Sequence, residues 1–485
     1  MPMEPRAVRD VAQSKRAPEV CKDGPFKGYA RLDWIHSAAR RKRHETCGAL
    51  MHHINVHNLR QAFRELDGNK ASGVDHVTKQ EYQRNLEQNL ETLYERIRLG
   101  GWRPKPAREV LIPKPQGGTR PLAVGCLEDK IVQTLVARIL EALYEPIFHR
   151  HSYGFRRGKS AHKAVGRLYE SIDRRSRSCV VVEMDIEKFF NSMDQEWLMQ
   201  KLEMKIGDRH FLRLIRRMLR NSVLGTDGSL AENLRGTAQG SPASPALANI
   251  CLHYLLDDWF AKNWATQGGF VRYADDAAYV FGNEQDAHIF RDALQARLQE
   301  AGLRLNLDKS GIVPFSIGQP RGFIRFLGFD LYWGRQQGGT RRVLKPKTSP
   351  PRLHRSLQAF YEWCKQVRCR ISLKSIWQKA AQKLRGHFHY FGVMHNEAKL
   401  NHYYHACIGA LFKWLNRRSQ KRSYTWEQFG TRLRFNPLPY PPSGLALINL
   451  QSEHGPDRNH KLKSRMRKLR TSGSVRSAGL KPVFT

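Results

Sequence analysis

From Glu128 to Glu145, apolar side chains fall at Ile131, Val132, Leu135, Val136, Ile139, Leu140 and Leu143, and Pro146 follows. Steps of three and four place them on one side of a helix, which the proline ends. The run Cys179-Val-Val-Val-Glu-Met-Asp185 is β-branched instead and predicts a buried strand ending in an acid. Phe270-Val-Arg-Tyr-Ala-Asp-Asp-Ala-Ala-Tyr-Val-Phe281 predicts two short strands around a tight turn at Asp275-Asp276. Helical spacing returns at Leu353, Leu357, Phe360, Tyr361 and Cys364, and again at Leu400, Tyr403, Tyr404, Cys407, Ile408, Leu411, Phe412 and Leu415. Thr425-Trp-Glu-Gln428 fits a capping box that opens one more helix. The pattern predicts an α+β fold closed by a small helical region. Residues 1–54 show little periodicity and read as a loosely ordered basic extension, and residues 441–485 read as a flexible basic tail.

Composition adds a partner. A chain of 485 residues that is 40% hydrophobic can build a large core, divided over two or three domains. Its 82 Lys and Arg against 44 Asp and Glu leave a net charge of +38. Such a surplus repels itself unless a polyanion neutralises it, which excludes a metabolic enzyme for small neutral substrates. Residues 51–340 carry only +8, whereas residues 341–440 carry +18. This step sets a boundary near Gly338-Gly339, giving a central region of 55–340 and a basic helical region of 341–440. No run approaches the ~20 apolar residues of a spanning helix. No secretory leader is visible, and the eight cysteines lack a CxxC pair. The expectation is a cytoplasmic protein with reduced thiols and no membrane partner.

Candidate chemistry centres on Asp185, Asp275 and Asp276. Two adjacent acids between apolar strands repel each other and call for a compensating cation. A third acid on a neighbouring strand completes an oxygen-rich pocket suited to two Mg²⁺ ions and in-line phosphoryl transfer. A solvated Asp-Asp turn is the plainer meaning, and three segments weigh against it. Ile112-Pro-Lys-Pro-Gln-Gly-Gly-Thr-Arg-Pro-Leu122 sets Lys114 and Arg120 on a glycine-rich hairpin, where two cations can hold a triphosphate. Gly236-Thr-Ala-Gln-Gly-Ser-Pro242 offers Gln239 beside Gly240, which lets backbone approach a base pair. Asp185-Ile-Glu-Lys-Phe-Phe190 places a ring, Phe190, where it can lie under a sugar and exclude a 2′-hydroxyl, or simply pack. Histidines 387, 389, 395, 402 and 405 invite a zinc reading, but no Cys/His quartet completes it. They read instead as RNA contacts or as packing between helices.

The order of these segments resembles the group II intron reverse transcriptase/maturase family. Also matching are Asn69-Lys-Ala-Ser-Gly-Val-Asp75, Ser152-Tyr-Gly-Phe-Arg156 with Ser160-Ala-His162, Tyr273-Ala-Asp-Asp276, Leu305-Asn-Leu-Asp-Lys309 and Phe326-Leu-Gly-Phe329. Downstream, Gly386-His-Phe-His-Tyr-Phe-Gly392 and the stretch from Phe412 to Trp426 resemble its maturase region. The resemblance implies a right-hand polymerase, with fingers and palm on an antiparallel sheet, then a helical thumb that is also the maturase domain. It implies an RNA-directed DNA polymerase that also binds intron RNA for splicing and retrohoming; a splicing factor with ancillary polymerase, or a reverse transcriptase adapted to repair or defence, would share the motifs. Asp185, Asp275 and Asp276 would hold the metals, with the Ile186 carbonyl. Lys114 and Arg120 would contact the triphosphate, Phe190 would gate the sugar, Gln239 and Gly240 would pack near the nascent pair, and Lys309 would orient the triphosphate or act as general acid. Implied partners are intron RNA, an RNA template, a DNA primer or target and deoxynucleoside triphosphates. Trp414, Trp426, Arg417, Arg418, Lys421, Arg422 and Tyr424 are the expected RNA contacts. The chain departs from the family at Ala238, where proline is common, at Ala277-Ala278, and in carrying no cysteine after residue 440 for an HNH endonuclease, a module expected to be missing.

Overall fold

The computed structural model describes residues 20–113, 118–173, 178–318, 322–336, 338–418, 423–444 and 447–450. The chain divides into two compact units, neither continuous in sequence. The first comprises Met1–Gly158, Asp185–Thr266 and Arg291–Lys309; the second comprises Lys159–Met184, Gln267–Phe290 and Ser310–Thr485.

The first unit is built around the helix Leu127–Tyr144, in which all seven apolar residues of the sequence pattern are buried. Helices Leu32–Arg41, Val56–Glu65 and Ser244–Leu252 pack on it. The loose extension expected over residues 1–54 is therefore corrected for residues 20–54. Leu32, Ile35 and Ala39 recur at helical spacing and are buried together with Tyr29 and Phe26. Charges interleaved between these few apolar positions hid the stripe in the sequence. A buried lysine ties the segment down. Lys205, 4% exposed, donates to the carbonyls of Lys42 at 2.9 Å, Arg43 at 2.8 Å and Glu45 at 2.7 Å. Three residues on, Asp208 accepts from the backbone N–H groups of Leu50, Met51, His210 and Phe211. Those four donors hold its carboxyl below the usual range against the opposing effect of burial. Lys205→Met leaves three carbonyls without their donor. It is expected to cost on the order of 3 kcal/mol, read as a lowered Tm and as faster exchange of the Cys47 amide, which bonds the Lys205 carbonyl. An unchanged melt and unchanged exchange would show the clasp to be idle. In the unit's sheet Ala107–Pro113 pairs antiparallel with Thr119–Val124 on one side and parallel with Val223–Leu224 on the other, and Val223–Leu224 pairs antiparallel with Leu230–Ala231.

The second unit holds two antiparallel sheets. One orders the strands Gly268–Tyr273, Asp276–Phe281, Ser178–Met184 and Gly311–Ser316; the other orders Arg342–Thr348, Phe329–Arg335 and Phe323–Phe326. The predicted strand at 179–184 and both strands around the acid turn are present, and Val180, Val181 and Val182 are buried. Helices Pro350–Val367, Leu373–Phe391, Glu397–Leu415 and Trp426–Phe435 follow, the last opened by the capping box at Thr425 and Gln428. The compositional step near Gly338 is not a break in the fold. It falls in the hairpin whose strands pair Arg335 with Arg342 and Phe329 with Thr348. The beginning of the expected flexible tail is likewise packed: Ile448 bridges Val393, and Leu447 and Leu450 are buried. Gly166 allows this approach, because a Cβ there would stand 2.6 Å from the Leu450 carbonyl oxygen. The rest of the tail lies outside the described residues.

Candidate active site

In the first unit, Asp185 follows directly on a strand and enters a short bridge between Ile186 and Leu305. The Asn306 backbone N–H donates to the Asp185 carbonyl at 2.9 Å, its Nδ2 donates to Oδ2 at 3.0 Å, and Lys309 Nζ donates to the same oxygen at 3.3 Å. One carboxylate oxygen is thus held by an amide and an ammonium from Leu305-Asn-Leu-Asp-Lys309. Asn306 was missed by the sequence reading; its place three residues before Lys309 was the available signal.

Phe190 is half-buried, edge-to-face on Phe189 with ring centroids 5.3 Å apart. Its carbonyl accepts from Thr237 N–H at 2.7 Å. Gly236, at φ +71°, passes so close that a Cβ would run into that carbonyl. The next residues carry Gln239, whose Nε2 donates to Asn191 Oδ1 at 3.2 Å and whose carbonyl accepts from Ala123 N–H at 2.7 Å. Gly240, at φ +115°, lies where a Cβ would stand 2.6 Å from the Ala123 oxygen. Backbone contacts therefore fasten the glutamine loop to Phe190-Asn191 on one side and to the hairpin strand Thr119–Val124 on the other. Arg120 lies on that strand, exposed, opposite Ile112. Lys114 lies outside the described residues. The close approaches of Gly236 and Gly240 seen here are to the Phe190 and Ala123 carbonyls, and Ala238 in place of proline does not prevent the loop from forming.

In the second unit, the acids sit on a turn set by its strands. Tyr273 pairs with Asp276, Arg272 with Ala277, and Met184 with Ala277 on the other side. Asp185 is the residue after Met184, and Asp276 is the residue before Ala277. Ala274 takes the left-handed region at φ +57°, and Arg272, with no exposed surface, donates from Nη1 to the Ala274 carbonyl at 2.9 Å. Asp275 is half-buried and Asp276 exposed. Ala277 and Ala278 are buried between Met184-Glu183 and Arg272-Val271, so the small residues are part of the core. Tyr390 reaches the same turn. Burial, with Tyr273 and Asp276 nearby, raises its phenol against the opposing effect of Arg352, and its hydroxyl donates to the Leu327 carbonyl at 3.0 Å. Among the described residues, no three His, Cys, Asp or Glu side chains form one ready-made metal-binding group.

The helical region corrects one expected RNA contact. Trp414 is buried, with Arg368, Arg417 and Lys413 over its ring and Tyr361 against its edge, so it is no open stacking platform. Its place in the apolar stripe of Glu397–Leu415 explains this. Trp426 is 54% exposed, its ring stacked on Phe412 with centroids 3.8 Å apart. Arg417 is exposed, Arg418 and Tyr424 are half-buried, and Lys421 and Arg422 lie outside the described residues. His387 packs between helices, stacked on Tyr403 at 3.5 Å, and burial together with Arg352 pushes its imidazole down to about 3. Among the described residues no helix is long and apolar enough to cross a membrane.

Residues 112–331 match the family model described as reverse transcriptase (RNA-dependent DNA polymerase). Protein YkfC of Escherichia coli is 30% identical over 310 residues, 57% of this chain and 80% of that protein. An uncharacterized 91 kDa protein in the cob intron of Schizosaccharomyces pombe is 41% identical over 159 residues, 33% of this chain and 19% of that protein. The group II intron-encoded protein LtrA of Lactococcus lactis is 31% identical over 195 residues, 40% of this chain and 32% of that protein. The matches thus span most of the first relative but a third or less of the other two. The chain belongs to the group II intron reverse transcriptase/maturase family, RNA-directed DNA polymerases with a part in intron splicing. Members use divalent metal ions and bind RNA and nucleic-acid substrates.

Proposed function

We propose that this chain copies an RNA template into DNA from a DNA primer, with Asp185, Asp275 and Asp276 as the metal-binding carboxylates. The observation that carries the reading is the register Met184↔Ala277, because Asp185 and Asp276 are the covalent neighbours of that pair. The donors suit Mg²⁺, a hard cation that takes carboxylate oxygens, phosphates and water, and the Ile186 carbonyl would complete the set. Two such ions, when bound, favour ionisation of the primer 3′-hydroxyl and offset charge on the departing pyrophosphate. The 3′-oxygen forms the new bond to the α-phosphorus, the bond to pyrophosphate breaks, and the hydroxyl proton passes to solvent. Lys309, which donates to Asp185 Oδ2, would orient the triphosphate or protonate pyrophosphate. Arg120 and Lys114 would grip the triphosphate, and Gln239 and Gly240 would lie against the nascent pair.

In this reading the hairpin Ala107–Val124 is part of the fingers, the sheet bearing the acid turn is the palm, and the helices from Pro350 form the thumb and maturase region. Arg417, Arg418 and Trp426 are offered there to intron RNA. Extension of a DNA primer on RNA with four deoxynucleotides and Mg²⁺ tests the reading, and a parent protein that adds no nucleotide overturns it. Phe190→Ala tests the sugar gate. Removing the ring is expected to raise incorporation of ribonucleotides relative to deoxynucleotides by about 10- to 200-fold, the range for steric discrimination in an apolar pocket. An unchanged ratio of kcat/KM would make Phe190 a packing residue only.

A further inference from the structure

The segment Ser152-Tyr-Gly-Phe-Arg156 has no role in the chemistry above, yet it holds a strained aromatic in the open. Phe155 adopts φ +56°, the left-handed region that bulky side chains avoid, and its side chain is 53% exposed. Its neighbours are buried and fully engaged. Ser152 and Tyr153 are buried, and the Gly154 carbonyl accepts from Asn249 Nδ2 at 2.8 Å. Arg156, with a side chain 5% exposed, donates to the carbonyls of His149 and Ser152, both at 2.7 Å, and makes a two-pronged pair with Glu145. Phe148 lies under its guanidinium at 5.1 Å. The surroundings thus over-determine the turn and force the ring outward, which is how strain persists at working sites.

Three features point to what the ring meets. It walls a small apolar cleft shared with Pro25, Phe26, Leu140 and Phe148. Nearby carboxylates are already spent: Glu141 pairs with Arg138 and approaches Arg157, and Glu145 pairs with Arg156. Arg157 lines the cleft and is exposed, so this rim suits an anionic backbone. Finally, the turn and the glutamine loop hang on one helix, Ser244–Leu252. Ser244 Oγ donates to the Ala238 carbonyl at 2.9 Å, and Asn249, five residues on, holds Gly154. We infer that Phe155 is a stacking platform for an unpaired base of the single-stranded template RNA, held in fixed relation to Gln239. Only the identity of the strand rests on the polymerase reading.

Binding of the full chain to a 12-nucleotide oligo(A) RNA carrying one 2-aminopurine, without primer or nucleotides, tests this. Phe155→Ala should weaken binding about 5- to 100-fold, the range for losing one stacked base, and abolish quenching of the probe. Phe155→Tyr should restore both. Phe155→Gly should lose the same affinity while keeping or raising Tm, because glycine accepts this backbone without strain. Affinity within twofold of the parent for Phe155→Ala overturns the inference. So does a Phe155→Gly variant that melts several degrees lower and binds normally, since the ring would then serve only packing. The polymerase reading fails separately, if the parent binds the probe through Phe155 but extends no primer.

Discussion

Replacing Asp275 and Asp276 together by alanine, or Asp185 alone, is expected to lower primer extension on RNA by at least about 10³-fold. Losing a metal-binding carboxylate removes several kcal/mol of transition-state stabilisation, at about 1.4 kcal/mol per factor of ten. Folding should be little affected by the double change. Asp276 is exposed, Asp275 is half-buried, and the turn is fixed from below by Arg272 on the Ala274 carbonyl. Asp185→Ala differs in that it strips Lys309 and Asn306 of their shared acceptor. Asp185→Asn keeps a bond to Lys309 while removing the charge, so it should be as inactive as alanine but melt nearer the parent. Steady-state extension and thermal melts check both halves. If the double variant copies RNA at the parent's rate, the acid turn is the solvated Asp-Asp turn of the plainer reading.

The second large effect is one of pH. Asp129, 2% exposed at the start of Leu127–Tyr144, accepts from Lys105 N–H at 3.1 Å. Burial first, with Glu128 and Asp75 adding to it, pushes its carboxyl up to about 7. In the unfolded chain it ionises near 3.9. Below that pH both states are protonated and its full contribution is present. As pH rises the unfolded chain ionises first, so stability falls until the folded group ionises near 7, and then levels off. Three pH units correspond to about 4 kcal/mol as an upper figure. Asp129→Asn keeps an acceptor for Lys105 and removes the titration. The variant's advantage should therefore grow from pH 4 to 7 and stay constant above it, in denaturant unfolding at several pH values. A difference that does not change with pH would show that Asp129 ionises normally in the fold.

Much of this was legible in residue order. The helix over 127–144, the strand ending at Met184 and the acid turn each have a single dominant period and buried apolar positions. Gly240 was legible as a close-approach position, but that it closes on the Ala123 carbonyl, and Gly236 on the Phe190 carbonyl, was not. What stayed hidden had weak or ambiguous local signals. Leu32, Ile35 and Ala39 form a stripe too sparse to stand out among charges. Trp414 and Trp426 were both legible as aromatics amid cations, but only the packed helices decide that the first is buried under its cations while the second is 54% exposed. Asn306 carries no charge and meets Asp185 across 121 positions of chain, which no local pattern encodes. The two units also interleave, so no linear division of the sequence could draw them.

The hairpin that carries the compositional step at Gly338 bears on how the molecule can be dissected. A fragment beginning at Arg342 would take one strand of a three-stranded sheet and leave its partner behind. Each piece would present an unsatisfied edge, the kind of surface that drives self-association. The basic helices are thus not a cassette that can be cut out by charge profile and grafted elsewhere. An excision that respects the fold has to carry Phe323–Arg335 with them, along with the segment Lys159–Met184, whose Tyr169 hydroxyl bonds the Leu344 carbonyl at 2.9 Å.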